Sequence, residues 1–179
     1  SVPFREISSN VSHEISSVFI THTHGDHIFY LDEVLREYPN VNIFIFRHSV
    51  NRISGENIQG VDDKSQVQVG SLKLEAIHTP GHYDDSLCFH LKNILFTGDT
   101  LFVGRTGRTI SMRSDTRQLY RSVYEKLLIL PGETLIYPGH DYGKQPTISI
   151  DENVRISPLL QAKDEEDFIT RMADYEANR

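Results

Sequence analysis

Four short segments of this sequence end an apolar run in a turn that carries imidazoles or carboxylates. They run from Val18 to His27, from Leu74 to His82, from Ile94 to Asp99 and from Leu135 to His140. Together they supply five histidines, His22, His24, His27, His82 and His140, and two aspartates, Asp26 and Asp99. Imidazole nitrogen and carboxylate oxygen are the donors that hold zinc, iron and similar divalent ions. A structural zinc site closes with four ligands, whereas seven candidates suit two adjacent ions, or one ion with positions to spare. Either arrangement leaves the site open to a substrate. At this chain's own histidine and aspartate frequencies, a chance His-x-His-x-Asp-His arises about 2 times in 1000, so chance is a poor explanation. Two positions have a second reading: Asp26 could orient a neighbouring imidazole without binding metal, and Asp99, after Thr97-Gly98, could be a turn aspartate. His13, His48, His78 and His90 fit no ligand pattern and read as surface or hydrogen-bonded core histidines.

For the seven groups to meet, the apolar runs must be strands that end at one edge, with glycine and proline permitting sharp turns there. Val18-Phe19-Ile20 predicts a buried strand, preceded by a short amphipathic helix through Ile7, Val11 and Ile15. Ile28, Leu31, Val34, Leu35 and Tyr38 keep helical spacing until Pro39, and Val41 to Phe46 reads as a second strand. A polar connection centred on residues 54–63 follows. Hairpins are expected about Gly70-Ser71 and about Lys92-Asn93. Asp115 to Leu130 predicts a helix with Asp115 as its N-cap and Pro131-Gly132 as its terminator. A strand over Leu135 to Tyr137 and a final helix capped by Asp164, with Phe168, Met172 and Tyr175 on one face, complete the pattern. Eight acids against four bases between Asp151 and Arg179 read as a solvated helical face.

The 179 residues contain no repeat and no linker rich in Gly, Ser and Pro, so a single domain over 1–179 is expected. A formal charge of −7 argues against a general nucleic-acid or anionic-membrane binder, since both need a positive field. One cysteine excludes a disulfide framework and a thiolate zinc site. Cys88 falls in a strand-like run with nothing nearby to lower its pKa, which makes it a core residue rather than a nucleophile. With no long apolar run and no signal-peptide plan at the N-terminus, the expected location is the cytoplasm or an organelle matrix. The sequon Asn10-Val11-Ser12 is then a chance match.

The run from Thr21 to His27, the two Pro-Gly-His elements and the run from Thr97 to Phe102 resemble the metallo-β-lactamase superfamily in order and spacing. The resemblance implies an α/β (α+β) fold, a four-layer αββα sandwich with metals at one edge of two facing sheets. It also implies that His22, His24 and His82 form a first metal site, Asp26, His27 and His140 a second, and Asp99 the bridge. Within that superfamily the chain is most similar to the glyoxalase II and persulfide dioxygenase branch. The residues that carry this are Phe96 to Arg108, Leu119 to Ser122, Leu130 to Glu133 and Tyr137 to Tyr142, with Thr147 to Glu152 and Ser157 to Leu159 nearest to persulfide dioxygenases. Three departures stand out. Only 39 residues follow His140, so the glutathione-gripping C-terminal domain of glyoxalase II is expected to be absent. Thr106 stands where persulfide dioxygenases often have cysteine, and Ile110-Ser111 where they have an acid. Room for only one helix and one strand before the first histidine motif suggests that the first N-terminal strands are reduced or missing.

Five arginines, Arg105, Arg108, Arg113, Arg117 and Arg121, share the stretch after Gly104 with one acid, Asp115. Arg117 and Arg121 read as surface residues. Arg105 and Arg108, just past Asp99, could fork onto a substrate carboxylate or pair with an acid to hold their loop. Tyr142 and Lys144 are further substrate-binding candidates. Motifs and resemblance together imply a glyoxalase II-like hydrolase: two divalent ions, zinc first and iron second, activating water against the thioester of a small anionic, glutathione-type thiol, with Asp26 and Asp99 as catalytic carboxylates. The alternative is a mononuclear iron persulfide dioxygenase that oxidises glutathione persulfide, using His22, His82 and Asp99 as its triad. No nucleic acid or membrane partner is expected, and a homodimer is compatible with the sequence.

Overall fold

The structure, a computed structural model, describes residues 14–178. The expected helix through Ile7 and Val11 and the sequon at Asn10 lie outside these residues. Ile15 lies within them, is not helical, and packs beneath the first sheet.

In chain order the elements begin with strand β1 (Ser17–Phe19), a one-turn helix α1 (Gly25–Ile28), helix α2 (Leu31–Glu37), strand β2 (Asn42–Phe46) and a 3-10 helix (Arg47–Arg52). Strands β3 (Ile58–Val61), β4 (Gln66–Val69), β5 (Leu72–His78), β6 (Leu87–Leu91) and β7 (Ile94–Gly98) follow, then a short hairpin of β8 (Leu101–Phe102) and β9 (Arg105–Thr106). Helix α3 (Thr116–Arg121) continues as a π-helical segment (Ser122–Leu127). The last elements are β10 (Leu135–Pro138), β11 (Ile148–Ser149), α4 (Ile150–Ile156), a 3-10 turn (Pro158–Gln161) and α5 (Glu165–Ala177).

Two sheets face each other. The first is parallel, in the order β1-β2-β3. The second has the order β11-β10-β7-β6-β5-β4 and is antiparallel except between β7 and β10. Alternation along the strands builds the layers, because successive side chains point to opposite faces. In β2, Phe44 and Phe46 turn towards the second sheet, whereas Ile43 and Ile45 turn outward to Leu31, Val34 and Leu35 around α2. In β6, Leu87 and Phe89 join the inner cluster with Val67, Leu74 and Ala76, while Cys88 faces the outer helices. Phe19 joins the sheets through ring contacts to Phe44 at 5.0 Å and Phe89 at 4.9 Å. The largest cluster packs Ile77, Leu95 and Ile136 against Leu119, Val123, Phe168 and Met172 of the outer helices. Each large apolar side chain buried in these clusters contributes about 1.5–3 kcal/mol relative to exposure. The result is the expected four-layer αββα sandwich.

The caps follow the sequence reading. The carboxylate of Asp115 accepts the Gln118 N–H at 3.0 Å, and that of Asp164 accepts the Asp167 N–H at 2.9 Å. Three expectations need correction. The polar connection over 54–63 contains β3, whose backbone pairs with β2 although Gln59 and Gly60 break its apolar pattern. The single helix over 115–130 changes from α to π geometry after Arg121. The acidic C-terminal stretch is not only a solvated face, since Glu165 pairs with Arg117 and Arg121, and Glu176 holds Thr109. No helix among the described residues is long and apolar enough to cross a membrane.

Candidate metal centre

Strand direction brings the seven residues together. Because β5, β6 and β7 alternate antiparallel and β10 runs parallel to β7, strands β5, β7 and β10 all point the same way. Their C-terminal ends therefore share one edge of the second sheet, and the turns beyond them carry His82, Asp99 and His140. The end of β1 meets that edge from the first sheet, with the Leu87 N–H donating to the Thr21 carbonyl at 2.7 Å. His22, His24, Asp26 and His27 follow directly. Glycines make the close approach feasible. Gly81 adopts φ +139° against the backbone of Leu119, and a Cβ on Gly139 would sit 2.6 Å from Asp99 Oδ1 and 2.8 Å from His27 Cε1.

Three donor sets result: His22 with His24 and His82; His22 with His27 and Asp99; and Asp26 with His27 and His140. In the first, His24 Nδ1 lies 3.0 Å from His22 Nε2 and 3.1 Å from His82 Nε2. In the last, His140 Nε2 lies 3.2 Å from His27 Nε2 and 3.2 Å from Asp26 Oδ2. Donors about 2.0–2.1 Å from one tetrahedral ion stand about 3.3 Å apart, so this spacing fits ions at both places. Asp99 lies between the sets, with Oδ1 3.2 Å from His27 Nε2, and Oδ2 3.7 Å from His82 Nε2 and 3.5 Å from His140 Nε2. Its Oδ1 is buried and makes no hydrogen bond among the described residues, as suits an oxygen aimed at a cation.

The surroundings hold three of the rings, His22, His24 and His82, in the neutral form that a metal would need. His82 Nδ1–H donates to the Arg108 carbonyl at 2.8 Å, which leaves its Nε2 lone pair for the cluster. Burial, reinforced by the neighbouring imidazoles, pushes His22 far below the ordinary histidine range. Burial likewise lowers His24 and His82, against the opposing pull of Asp99 on both and of the Arg108 carbonyl on His82. Neutral imidazole is the ligand form, so the fold presets the protonation state that metal binding requires.

Beside the cluster lies a cavity of about 210 Å³ lined by His82, Asp99, Phe102, Arg105, Thr106, Arg108 and Tyr142. Arg105 and Tyr142 also line an adjoining cavity of about 490 Å³ that reaches Lys144. The structure thus brings Arg105, Arg108 and Tyr142 to the cluster and sets Lys144 farther out. Neither Arg105 nor Arg108 pairs with a carboxylate among the described residues. Arg105 donates to the Tyr142 carbonyl at 3.1 Å and the Tyr175 hydroxyl at 3.4 Å. The Tyr142 ring stacks on His140 with centroids 5.1 Å apart. Arg113, Arg117 and Arg121 are instead engaged by Asp84, Glu165 and Glu166.

Of the remaining histidines, His78 stacks on Phe46 at 3.9 Å and bonds the Asp84 carbonyl, and neither His48 nor His90 joins a donor set. Cys88 is fully buried against Thr79. Sequence reasoning missed Thr23, Arg52, Asp84, Asp85 and Glu176, which surround the ligand loops. The adjacent acids straight after the Pro-Gly-His turn were the available signal.

Comparison with known proteins agrees with this geometry. The family model described as the metallo-beta-lactamase superfamily matches residues 14–140. A Schizosaccharomyces pombe protein named probable hydroxyacylglutathione hydrolase glo2 is 30% identical over 170 residues, which cover 90% of this chain and 58% of that protein. The hydroxyacylglutathione hydrolase of Francisella tularensis subsp. novicida is 35% identical over 141 residues, covering 78% and 54%. The chain therefore spans little more than half the length of these curated relatives. Among solved structures, that of ETHE1 from Myxococcus xanthus matches with a TM-score of 0.84 at 35% identity, covering 96% of this chain and 74% of that one.

Proposed function

The chain belongs to the metallo-beta-lactamase superfamily, and from that premise we propose that it is a glyoxalase II-type metal-dependent hydrolase that cleaves the thioester of a small anionic, glutathione-type thiol. The observation that carries this reading is the position of Asp99, whose two oxygens face His27 on one side and His82 and His140 on the other. We assign His22, His24 and His82 to one ion, Asp26, His27 and His140 to a second, and Asp99 to both. Two zinc ions, or iron in their place, would supply a water activated by a pKa lowered towards about 7 and would polarise the thioester carbonyl.

The chain's own residues do the rest. Asp26 and Asp99 are the carboxylates beside the reacting atoms, placed to hold the proton that the attacking water gives up. Arg105 and Arg108 line the cavity beside the cluster, where neither pairs with a protein carboxylate among the described residues, and there they fork onto a substrate carboxylate. Tyr142 forms a flat wall against His140, and Lys144 adds positive charge at the far end. A protein nucleophile is not required. We place the enzyme in the cytoplasm or an organelle matrix, as a monomer or homodimer with a small-molecule substrate. The net charge of −7 supports neither nucleic acid nor membrane as a partner.

A second reading, an iron dioxygenase that oxidises a glutathione persulfide at His22, His82 and Asp99, is favoured by Thr147 to Glu152 and Ser157 to Leu159, which resemble the corresponding segment of persulfide dioxygenases. Turnover separates the two. The zinc-loaded protein is expected to hydrolyse an acyl-glutathione thioester, and Asp99→Ala to reduce this to background. Undiminished turnover in that variant contradicts the hydrolase. Persulfide-dependent oxygen uptake by an iron-loaded protein that does not hydrolyse thioesters selects the dioxygenase.

A further inference from the structure

We infer that Asp85 is a positioning residue that locks His22 and His24, from the first sheet, to His82, from the second, and so sets the metal affinity of that imidazole set separately from the Asp26, His27 and His140 set. The inference rests on the metal reading above.

Asp85 stands three residues past His82 and is 1% exposed. Its carboxylate grips Thr23, the residue between the two ligands of the first motif: Oδ1 accepts the Thr23 N–H at 3.3 Å, and Oδ2 accepts the Thr23 hydroxyl at 2.6 Å. Side chains alternate about an extended backbone, so holding Thr23 from behind turns His22 and His24 forward. A buried carboxylate needs a counter-charge. Arg52, at the end of the 3-10 helix after β2, supplies it by donating to Asp85 Oδ2 at 2.9 Å. The same guanidinium reaches the Thr23 hydroxyl at 3.3 Å and forks onto both oxygens of Asp84 at 2.8 Å each. One buried charge therefore joins three pieces of chain: the loop after β1, the helix after β2 and the loop after β5. The neighbouring Tyr83 completes the clamp, its ring 4.1 Å from that of His24, 6.1 Å from that of His22 and 5.8 Å from the Arg113 guanidinium.

The Asp26, His27 and His140 set has different supports. Asp26 and His27 lie on α1 and His140 follows β10, and none of the three bonds Asp85, Arg52 or Thr23 among the described residues. Loss of Asp85 should therefore be felt unequally. Removal of a group that orients metal ligands typically costs about 10–100-fold in metal affinity.

The test is chelator competition on cobalt-loaded protein, read with the visible spectrum of the bound ions, for wild type, Asp85→Ala, Thr23→Val and Thr23→Ser. Asp85→Ala is expected to weaken one of two ions by about 10–100-fold, with a changed spectrum for that ion, and to leave the other at wild-type affinity. Thr23→Val should reproduce part of the loss, and Thr23→Ser, which keeps the hydroxyl, should restore it. Thr23→Val also answers the question if Asp85→Ala does not fold. Wild-type affinity at both ions in the variants, or equal weakening of both, overturns the inference while leaving the metal reading intact. A wild-type protein that takes up no cobalt overturns the metal reading and this inference with it.

Discussion

The carboxylate of Glu176, in the last helix, accepts the backbone N–H of Thr109 at 2.6 Å. One residue earlier, the carbonyl of Arg108 receives the His82 Nδ1–H. The final helix thus steadies the loop that presents a candidate substrate arginine and orients a candidate ligand. A hydrogen bond to a charged group contributes about 1.5–3 kcal/mol. Glu176→Ala is therefore expected to raise the KM for an anionic thioester by about tenfold or more, with a smaller change in kcat. Steady-state kinetics check this, and an unchanged KM assigns Glu176 to fold stability alone.

Gly139→Ala places a methyl group 2.6 Å from Asp99 Oδ1 and 2.8 Å from His27 Cε1. These contacts lie on candidate ligand side chains rather than on core packing. The variant is expected to fold, with wild-type circular dichroism, but to retain less metal on elemental analysis. Gly81→Ala meets the backbone of Leu119 at 2.3 Å from a φ of +139°, so it should lower the melting temperature.

Burial pushes the Cys88 thiol up to about 11. At pH 8 it is expected to resist a thiol reagent in the folded protein and to react with one equivalent after unfolding. Fast stoichiometric labelling of the native protein contradicts its place in the core.

The Arg52 hydrogen bond holds the Asp84 carboxyl below its ordinary 3.8. A folded-state pKa below the unfolded value stabilises the protein fully above the unfolded value, and the stabilisation fades as pH falls through the folded one. Urea unfolding should therefore show Asp84→Asn less stable than wild type at pH 6, with a narrower gap at pH 3. A gap that is the same at both pH values contradicts the ion pair.

The seven candidate ligands were legible in the sequence because their meaning is local: each lies within a few residues of a strand end, with the glycine or proline that makes the turn. Their supports were not. Arg52 and Asp85 are 33 positions apart and meet only when two sheets pack, and nothing in either segment marks the pairing. Strand β3 was missed for a similar reason. It is held by backbone bonds to β2, and Gly60 is set by its approach to the Arg47 backbone, where a Cβ would fall 2.9 Å away, so its side chains carry no strand pattern. Glu176 read as one acid among many because its partner is a backbone amide, which no side-chain pattern reveals.

The central claim is a two-ion site built on Asp99. Elemental analysis of the protein prepared without oxygen and without added metal tests it most directly. The account predicts two divalent ions per chain, falling to one or none in Asp99→Ala. A single iron per chain, or no bound metal in the wild-type protein, would contradict it.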